Sequence, residues 1–309
     1  MIVDWIIGKE LDKTLGVRFD GTPVFPYPNP TYFGCKEEPF SFLSGNNLLV
    51  GGRYSYGDGP FRGVLVFFHG AGAGAFAYSK EISSFAKQGY LVYAYDGTGC
   101  MRSPGKNIIS MTQCLVDQKA FFSFLDKDEK AMGLTRYVVG HSWGGFAALG
   151  CLQEEYHIEK VICIAGFASI ASMMEEKVPK MEKYDKALKR VLRKKYGFYG
   201  DFDALPLMKS TQKPILYVQG DGDKMVDYSK NLKRYEQELK GHKNVRFLTV
   251  KGRAHNPYWT KATEAYFREL VGQKRIDDIH REQAIELDDQ RLYEEDEWVM
   301  KTMFDFLVA

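Results

Sequence analysis

The chain has 309 residues, 45% of them hydrophobic, and its 42 basic and 40 acidic side chains leave a formal net charge of +2. That length and apolar content suit one large α/β domain with an insertion, and the near-neutral total supplies no global field for nucleic acid or a membrane. Five scattered cysteines without a Cys-x-x-Cys pair argue against a disulfide framework, and Ile2 to Ile7 is too short for a signal-peptide core or a membrane span, so a soluble cytoplasmic protein is expected.

Residues 1–37 carry Pro23, Pro26, Pro28 and Pro30, which enforce extended or turn conformations. They read as an N-terminal strap, with a short amphipathic stretch over Met1 to Leu15 that covers a flank of the core. From Pro39 the apolar runs Phe40 to Leu43 and Leu48 to Tyr56, separated by Ser44-Gly45-Asn46-Asn47, predict a β-hairpin. After Gly57-Asp58-Gly59-Pro60 strands and helices alternate. Val64 to Phe68 is a continuous apolar run, as in a strand buried on both faces of a parallel sheet. A helix over Tyr78 to Lys87 leads to a strand over Tyr90 to Tyr95, and a long helical stretch from about Met111 to Met132 precedes the strand Tyr137 to Gly140. Further buried strands fall at Lys160 to Ile164, Pro214 to Val218 and Val245 to Val250. Strands separated by helical segments imply right-handed crossovers and a doubly wound, mostly parallel α/β sheet.

Two stretches depart from that alternation. Residues 170–210 place Met181, Tyr184, Leu188, Val191 and Leu192 at helical spacing among many Lys and Arg, and read as a helical cap or lid. Residues 275–297 are rich in Asp and Glu, so the neutral total hides two opposite local charges. Each reads as a solvated helix face, as a surface for anionic substrates in the basic case, or as one half of a mutually attracting pair.

The stretch Val138-Val139-Gly140-His141-Ser142-Trp143-Gly144-Gly145 is a strand, a turn with glycines two residues either side of a serine, and the start of an Ala/Leu-rich helix. A G-x-S-x-G turn of this kind holds its serine in a strained conformation, lifts the hydroxyl clear of the sheet and sets it at a helix N-terminus that favours developing negative charge. A nucleophilic serine needs a base, and the base needs an orienting acid. Among the six histidines, His255 falls five residues after the last strand, on a loop at the carboxyl edge of the sheet, where ligands collect in open α/β sheets. The end of the preceding strand offers Asp221 and Asp223 as the acid. His141 adjoins the serine, so its ring should diverge from the hydroxyl.

These motifs resemble the α/β-hydrolase superfamily, closest to its soluble esterase, lipase and serine-aminopeptidase-like branch, over roughly residues 60–260. The resemblance implies a core of residues 38–169 and 211–309, a cap at 170–210, and a nucleophile, acid and histidine in the order Ser142, Asp223, His255. Asp223 is preferred to Asp221 because the family's Gly, two residues, Asp, two residues, Val pattern matches Gly220, Asp223 and Val226; Asp221 would brace the loop by bonding its backbone. The His-Gly turn matches His69-Gly70, which assigns one oxyanion-hole amide to Ala71 and the other to Trp143. Asp96, Gly99 and Ser103 match a further family turn, in which Met101 stands where a second glycine is often found.

The activity implied is a serine hydrolase cleaving a carboxylic ester, thioester or amide through an acyl-enzyme, with peptidase or thioesterase action as the alternative within the class. His69, Gly70, Tyr78, His141 and Trp259 are candidates for the substrate pocket, whose size is expected to depend on how the cap packs over Ser142. Aromatics near the motifs (Phe76, Tyr78, Trp143, Phe167, Tyr258 and Trp259) suggest an apolar lining. No cofactor and no metal are expected: Gly70, Gly72 and Gly74 lack the Lys-Ser/Thr of a phosphate loop, and no histidines stand at ligand spacing. The expected partner is a small acyl substrate, without nucleic acid or stable membrane insertion. Two other classes remain open, a hydrolase-fold binding protein without turnover and an interaction protein working through its charged insertions.

Overall fold

Five consecutive apolar residues need cover on both sides, and helices packed on the two faces of the sheet supply it. In the computed structural model of the chain, which describes residues 4–5, 7–9, 17–22, 25–177, 181–272 and 288–309, eight strands form one sheet. They are β1 (Lys36–Ser44), β2 (Asn47–Ser55), β3 (Val64–Phe68), β4 (Leu91–Tyr95), β5 (Arg136–His141), β6 (Ile158–Ile164), β7 (Ile215–Gly220) and β8 (Val245–Val250). Their spatial order is β1-β2-β4-β3-β5-β6-β7-β8. β1 and β2 form the antiparallel hairpin and β2 runs antiparallel to β4; every later neighbour pair is parallel. The hairpin turns at Gly45 and Asn46, as the sequence predicts.

The helices are α1 (Ser79–Lys87), α2 (Gln113–Leu125), α3 (Trp143–Gly150), α4 (Ile170–Lys177), α5 (Asp185–Tyr196), α6 (Leu205–Ser210), α7 (Leu232–Glu238), α8 (Lys261–Gly272), α9 (Asp289–Leu292) and α10 (Glu297–Val308). Alternate side chains of β3 divide between two cores. Val64, Val66 and Phe68 pack with Phe121 and Phe122 of α2 and Ala148 of α3, whereas Leu65 and Phe67 pack with Ile82 and Phe85 of α1 and Phe306 of α10. Each fully buried side chain of this size contributes about 1.5–3 kcal/mol, so the two-sided cover is what makes uninterrupted apolar strands stable here.

Two helix boundaries differ from the sequence reading. The helix expected to Met132 stops at Leu125, capped by Asp126, and the chain runs through turns to Gly133, which takes the left-handed region at φ 74°. The final helix begins at Glu297 rather than Glu294, because the Asp296 carboxylate accepts from the Val299 N–H as an N-cap and Glu295 bridges to Trp259. The N-terminal segment is tied to the domain: Phe19 pairs with Cys100, and the Arg18 guanidinium donates to the carbonyls of Met101, Ser103 and Gly105. Helical residues are found at 4–5 and 7–9, and the remainder of the expected helix over Met1 to Leu15 lies outside the described residues, as do Pro23, Lys180 and the acidic stretch up to residue 287 with His280.

Between β6 and β7 the helices α4, α5 and α6 occupy the insertion at 170–210. Leu188, Val191 and Leu192 of α5 pack with Trp143, Phe146 and Phe167 beside α3. The ion pairs of α5 are made with Asp4, Asp185 and Asp201 rather than with the described acidic residues 288–297. Among the described residues no helix is long and apolar enough to cross a membrane.

Candidate active site

Ser142 ends the turn after β5 with φ 57° and ψ −117°, a conformation that costs an L-residue free energy and persists only where its surroundings enforce it. Its N–H donates to Ile164 O of the neighbouring strand at 2.8 Å, and its carbonyl accepts from Phe146 N at 3.1 Å. The flanking glycines are steric requirements. A Cβ at Gly140 would collide with the backbone of Gly144, and one at Gly144 with the carbonyls of Phe68 and His69 at the end of β3.

The acid and base meet at the ends of β7 and β8. His255 Nδ1 donates to Asp223 Oδ2 at 2.9 Å. The same carboxylate accepts from Gln219 Nε2 at 3.1 Å, and its Oδ1 accepts from the amides of Met225 and Val226 at 2.9 and 3.1 Å. Burial alone would raise the Asp223 pKa; the hydrogen bond and charge of His255, with Gln219 and the Val226 amide, outweigh it and hold the carboxyl below its ordinary value. Asp221 is exposed and accepts from Gly252 N at 2.7 Å, a loop brace. Gly220 is needed because a Cβ there would collide with the carbonyls of Arg253 and Ala254. The histidine loop is anchored from its other side by Arg253, which donates to Trp259 O at 2.9 Å and to Asp296 Oδ2 at 2.6 Å.

Ser142 and His255 line one cavity of about 440 Å³ together with Gly70, Ala71, Tyr78 and His141. Among the described residues no hydrogen bond joins the serine hydroxyl to the imidazole, so the link from nucleophile to base is left open in this structure. Trp143 opens α3, and an amide in the first turn of a helix has no acceptor within it. Its indole turns into the core and donates to Met111 O at 2.5 Å. The Gly70 amide is taken by Tyr78 Oη at 3.0 Å, which leaves Ala71 as the next amide along the cavity wall.

His141 diverges from Ser142, as expected, and is buried against His255 with ring centroids 4.7 Å apart. Its Nε2 faces His255 O at 2.8 Å and therefore carries the hydrogen; its Nδ1 then accepts from Tyr78 Oη at 2.8 Å. Burial, and then the neighbouring His255, push the His141 pKa down to about 3, so the ring is neutral.

His69, read from the sequence as a pocket candidate, does not line this cavity. Its ring is buried on the other side of the turn, where Nε2 accepts from Gly97 N at 3.0 Å and Nδ1 lies 2.8 Å from Gly70 O. It ties the loop after β3 to the loop after β4. Trp143 and Phe167 belong to the core beside α3, and Phe76 lies beneath the Arg102 guanidinium, so of the expected aromatics Tyr78, Tyr258 and Trp259 reach the cavity.

The expectation that the 170–210 insertion shapes the pocket is also corrected. Among the described residues none from that insertion lines the cavity; Phe19, Thr22, Phe25 and Tyr27 of the N-terminal segment do. The apolar face of α5 is engaged beside α3, while Phe19 is held at the cavity by backbone bonds to Gly99 and Met101. Met101 takes φ 41°, the left-handed conformation of the glycine it replaces in the resemblance, and its N–H and C=O are held by Phe19 O and Arg18 Nη2. The turn it belongs to is closed by Asp96, which accepts from Ala75 N at 2.7 Å and Arg102 Nε at 2.7 Å, and by Ser103 Oγ, which donates to Asp96 O at 2.6 Å. Reading the sequence missed Gln219, Arg253 and the N-terminal wall; the aromatics among the prolines at 25–30 were the only local sign of the last. Among the described residues no group of three or more His, Cys, Asp or Glu side chains could hold a metal ion.

A family model described as serine aminopeptidase, S33, matches residues 59–198. No curated protein matches the chain in sequence. Similar solved structures include an esterase from Pyrococcus furiosus, with TM-score 0.60 and 18% identity over 87% of this chain and 100% of that one. A thermophilic esterase from Thermogutta terrifontis with butyrate bound has TM-score 0.57 and 18% identity over 80% and 94%. A proline iminopeptidase from Mycobacterium smegmatis has TM-score 0.50 and 15% identity over 79% and 98%.

Proposed function

We propose that this chain, which shares its fold with solved esterase structures and matches a serine aminopeptidase family model over residues 59–198, is a serine hydrolase cleaving a carboxylic ester with an apolar acyl group. The observation that carries this reading is the convergence of a strained serine and an Asp-paired histidine on one cavity. Ser142 attacks the carbonyl carbon as His255 Nε2 takes its proton. The tetrahedral oxyanion is received by the amides of Ala71 and Trp143, at the N-terminus of α3. His255 then gives the proton to the leaving alcohol, and water, deprotonated by the same imidazole, releases the acid. Asp223 fixes the Nδ1–H tautomer and stabilises the imidazolium, and its four donors keep it ionised while it does so. No cofactor enters these steps. Five free thiols support a reducing, cytoplasmic setting.

An ester is favoured over an aminoacyl amide by the cavity wall. A free α-ammonium group needs a carboxylate or converging carbonyls to replace its hydration. Among the described lining residues there is no Asp or Glu, and Phe19, Phe25, Tyr258, Trp259 and Phe267 make the wall largely aromatic. Labelling by a fluorophosphonate probe beside a Ser142→Ala control, followed by p-nitrophenyl esters of increasing chain length and aminoacyl amides, tests the reading. Labelling lost in the control with ester turnover supports it; amide turnover alone moves the substrate to peptides. The absent Ser142–His255 hydrogen bond favours a second reading, a ligand-binding protein without turnover. That reading predicts no labelling of the folded chain and unchanged ligand affinity in Ser142→Ala.

A further inference from the structure

α5 buries Leu188, Val191 and Leu192, packs Ala187 and Tyr196 beside them, and turns most of its basic side chains toward solvent. The stretch 183–199 holds seven cations and a single acid, Asp185. Lys183, Lys186, Arg190, Arg193, Lys194 and Lys195 are exposed. Among the described residues three acids are paired with this face, Asp185 with Lys189 at 3.0 Å, Asp4 with Arg190 at 2.7 Å and Asp201 with Arg193 at 3.4 Å, against the seven cations of the stretch. Large aromatics stand at its margins: Tyr184 is 47% exposed before the helix, Phe198 78% exposed just after it, and Trp5 61% exposed beside a shallow groove shared with Arg190, Lys194 and Lys195.

Cations alone would fit any polyanion. Exposed aromatic rings beside those cations are different: water leaves them unsatisfied, and the headgroup layer of a bilayer receives amphipathic rings while its anionic lipids attract the neighbouring Lys and Arg. A single-stranded nucleic acid would instead need a groove that tracks its backbone past a stacking platform, whereas the groove here holds Trp5 but neither Tyr184 nor Phe198. The preceding helix of the same insertion reaches toward the cavity: Lys177 at the end of α4 donates to Lys224 O at 3.1 Å, next to Met225 of the cavity rim.

We propose that the α5 face, with Tyr184, Phe198 and Trp5 at its edges, docks this protein peripherally on an anionic lipid bilayer. The basic side chains meet headgroup phosphates and carboxylates, and the three rings enter the interfacial layer without a membrane-spanning element. Docking does not depend on turnover at Ser142, so Ser142→Ala keeps it.

The test is co-sedimentation of the full chain with vesicles of phosphatidylcholine alone and of phosphatidylcholine with about 30% phosphatidylserine, the anionic lipid of the cytoplasmic leaflet. Binding to the anionic vesicles at least ~10-fold above the neutral ones, falling steeply as NaCl rises from about 0.1 to 0.5 M, is expected. The triple variant Lys183→Gln, Lys186→Gln, Lys194→Gln should lose ~10-fold or more of that binding, and Phe198→Ser several-fold at unchanged charge, both with wild-type melting temperatures. Equal sedimentation with the two vesicle types, binding untouched by the triple variant, or tighter binding to polyuridylate than to anionic vesicles overturns the proposal.

Discussion

Tyr78 Oη lies 2.8 Å from His141 Nδ1, and this one buried bond connects both walls of the cavity. The hydroxyl also accepts from the Gly70 amide at 3.0 Å, and the far side of the imidazole donates to His255 O at 2.8 Å. The loop that offers Ala71 and the loop that offers His255 are thereby fixed to each other through two side chains. Tyr78→Phe keeps the ring and leaves Gly70 N–H and His141 Nδ1 without their partner, each at about 1–3 kcal/mol. The expected outcome is a fall of about 10- to 100-fold in kcat/KM for short esters, carried mainly by kcat, with a lowered melting temperature. Steady-state kinetics and thermal unfolding read the two effects separately; wild-type kinetics would deny the pair any positioning role.

The two aspartates after β7 separate by mutation. Asp223→Asn keeps the shape of the acid but no longer enforces the Nδ1–H tautomer of His255, and kcat should fall about 10³- to 10⁴-fold. Asp221→Asn alters an exposed brace whose partner is a backbone amide, and activity should stay within a few-fold of wild type. Fluorophosphonate labelling rates of the two variants provide the comparison. The opposite ranking would make Asp221 the acid.

Behind the cavity wall, Glu81 accepts from the Trp259 indole at 3.4 Å, and Glu295 accepts from Ser84 Oγ. Burial pushes Glu81 up to about 7; burial, and then Glu81, push Glu295 up to about 8. A carboxyl whose pKa is raised on folding binds its proton more tightly in the native state. Its contribution to stability is therefore present below the ordinary carboxylate value near 4.5 and is lost as pH rises through about 7 to 8. Glu81→Gln should remove much of that alkaline loss, on the order of 3 kcal/mol between about pH 5 and 8.5. Urea denaturation of both proteins across that range measures it, and parallel curves would exclude the carboxyl pair as the source.

His141 works in the reverse sense. Its pKa is lowered to about 3 from 6.5, so the stability it contributes is present above about 6.5 and is lost as pH falls toward 3, where the buried ring must be protonated. An imidazole resonance followed by NMR during acidification should remain that of a neutral ring at pH 5. A normal titration near 6.5 would mean that the ring is not held by Tyr78 and His255 O.

Phe25 lines the cavity and packs edge-on against Phe267 and Tyr293. Phe25→Ala should open the wall and shift the ratio of kcat/KM for octanoyl over butyryl esters upward by roughly 10-fold, as expected when a pocket gains room for several methylenes. An unchanged ratio would place the acyl chain along the opposite wall.

The strand-turn-helix around Ser142 was legible from eight residues because its cause is local: Gly140 and Gly144 sit where a Cβ would meet backbone four or five residues away or the adjacent strand end. The apolar runs of β3 to β7 were legible for a similar reason, since a strand covered on both faces has no polar side to alternate with; β8, expected to be buried, lies at the sheet edge with Arg246 exposed and only Val245 and Val250 buried. The chain order of serine, acid and histidine followed from those strands. The identity of the cavity wall was not legible. Phe19 and Phe25 reach the site through contacts with Gly99, Met101 and Phe267, at separations that no periodicity records. Nor was the turning away of His69, which depends on a bond to Gly97 across two strands, or the neutral state of His141, which is set by burial against groups drawn from three loops. Steric and periodic rules act over a few residues and are written in the chain; solvent exclusion and long-range hydrogen bonding exist only once the sheet has brought its carboxyl ends together.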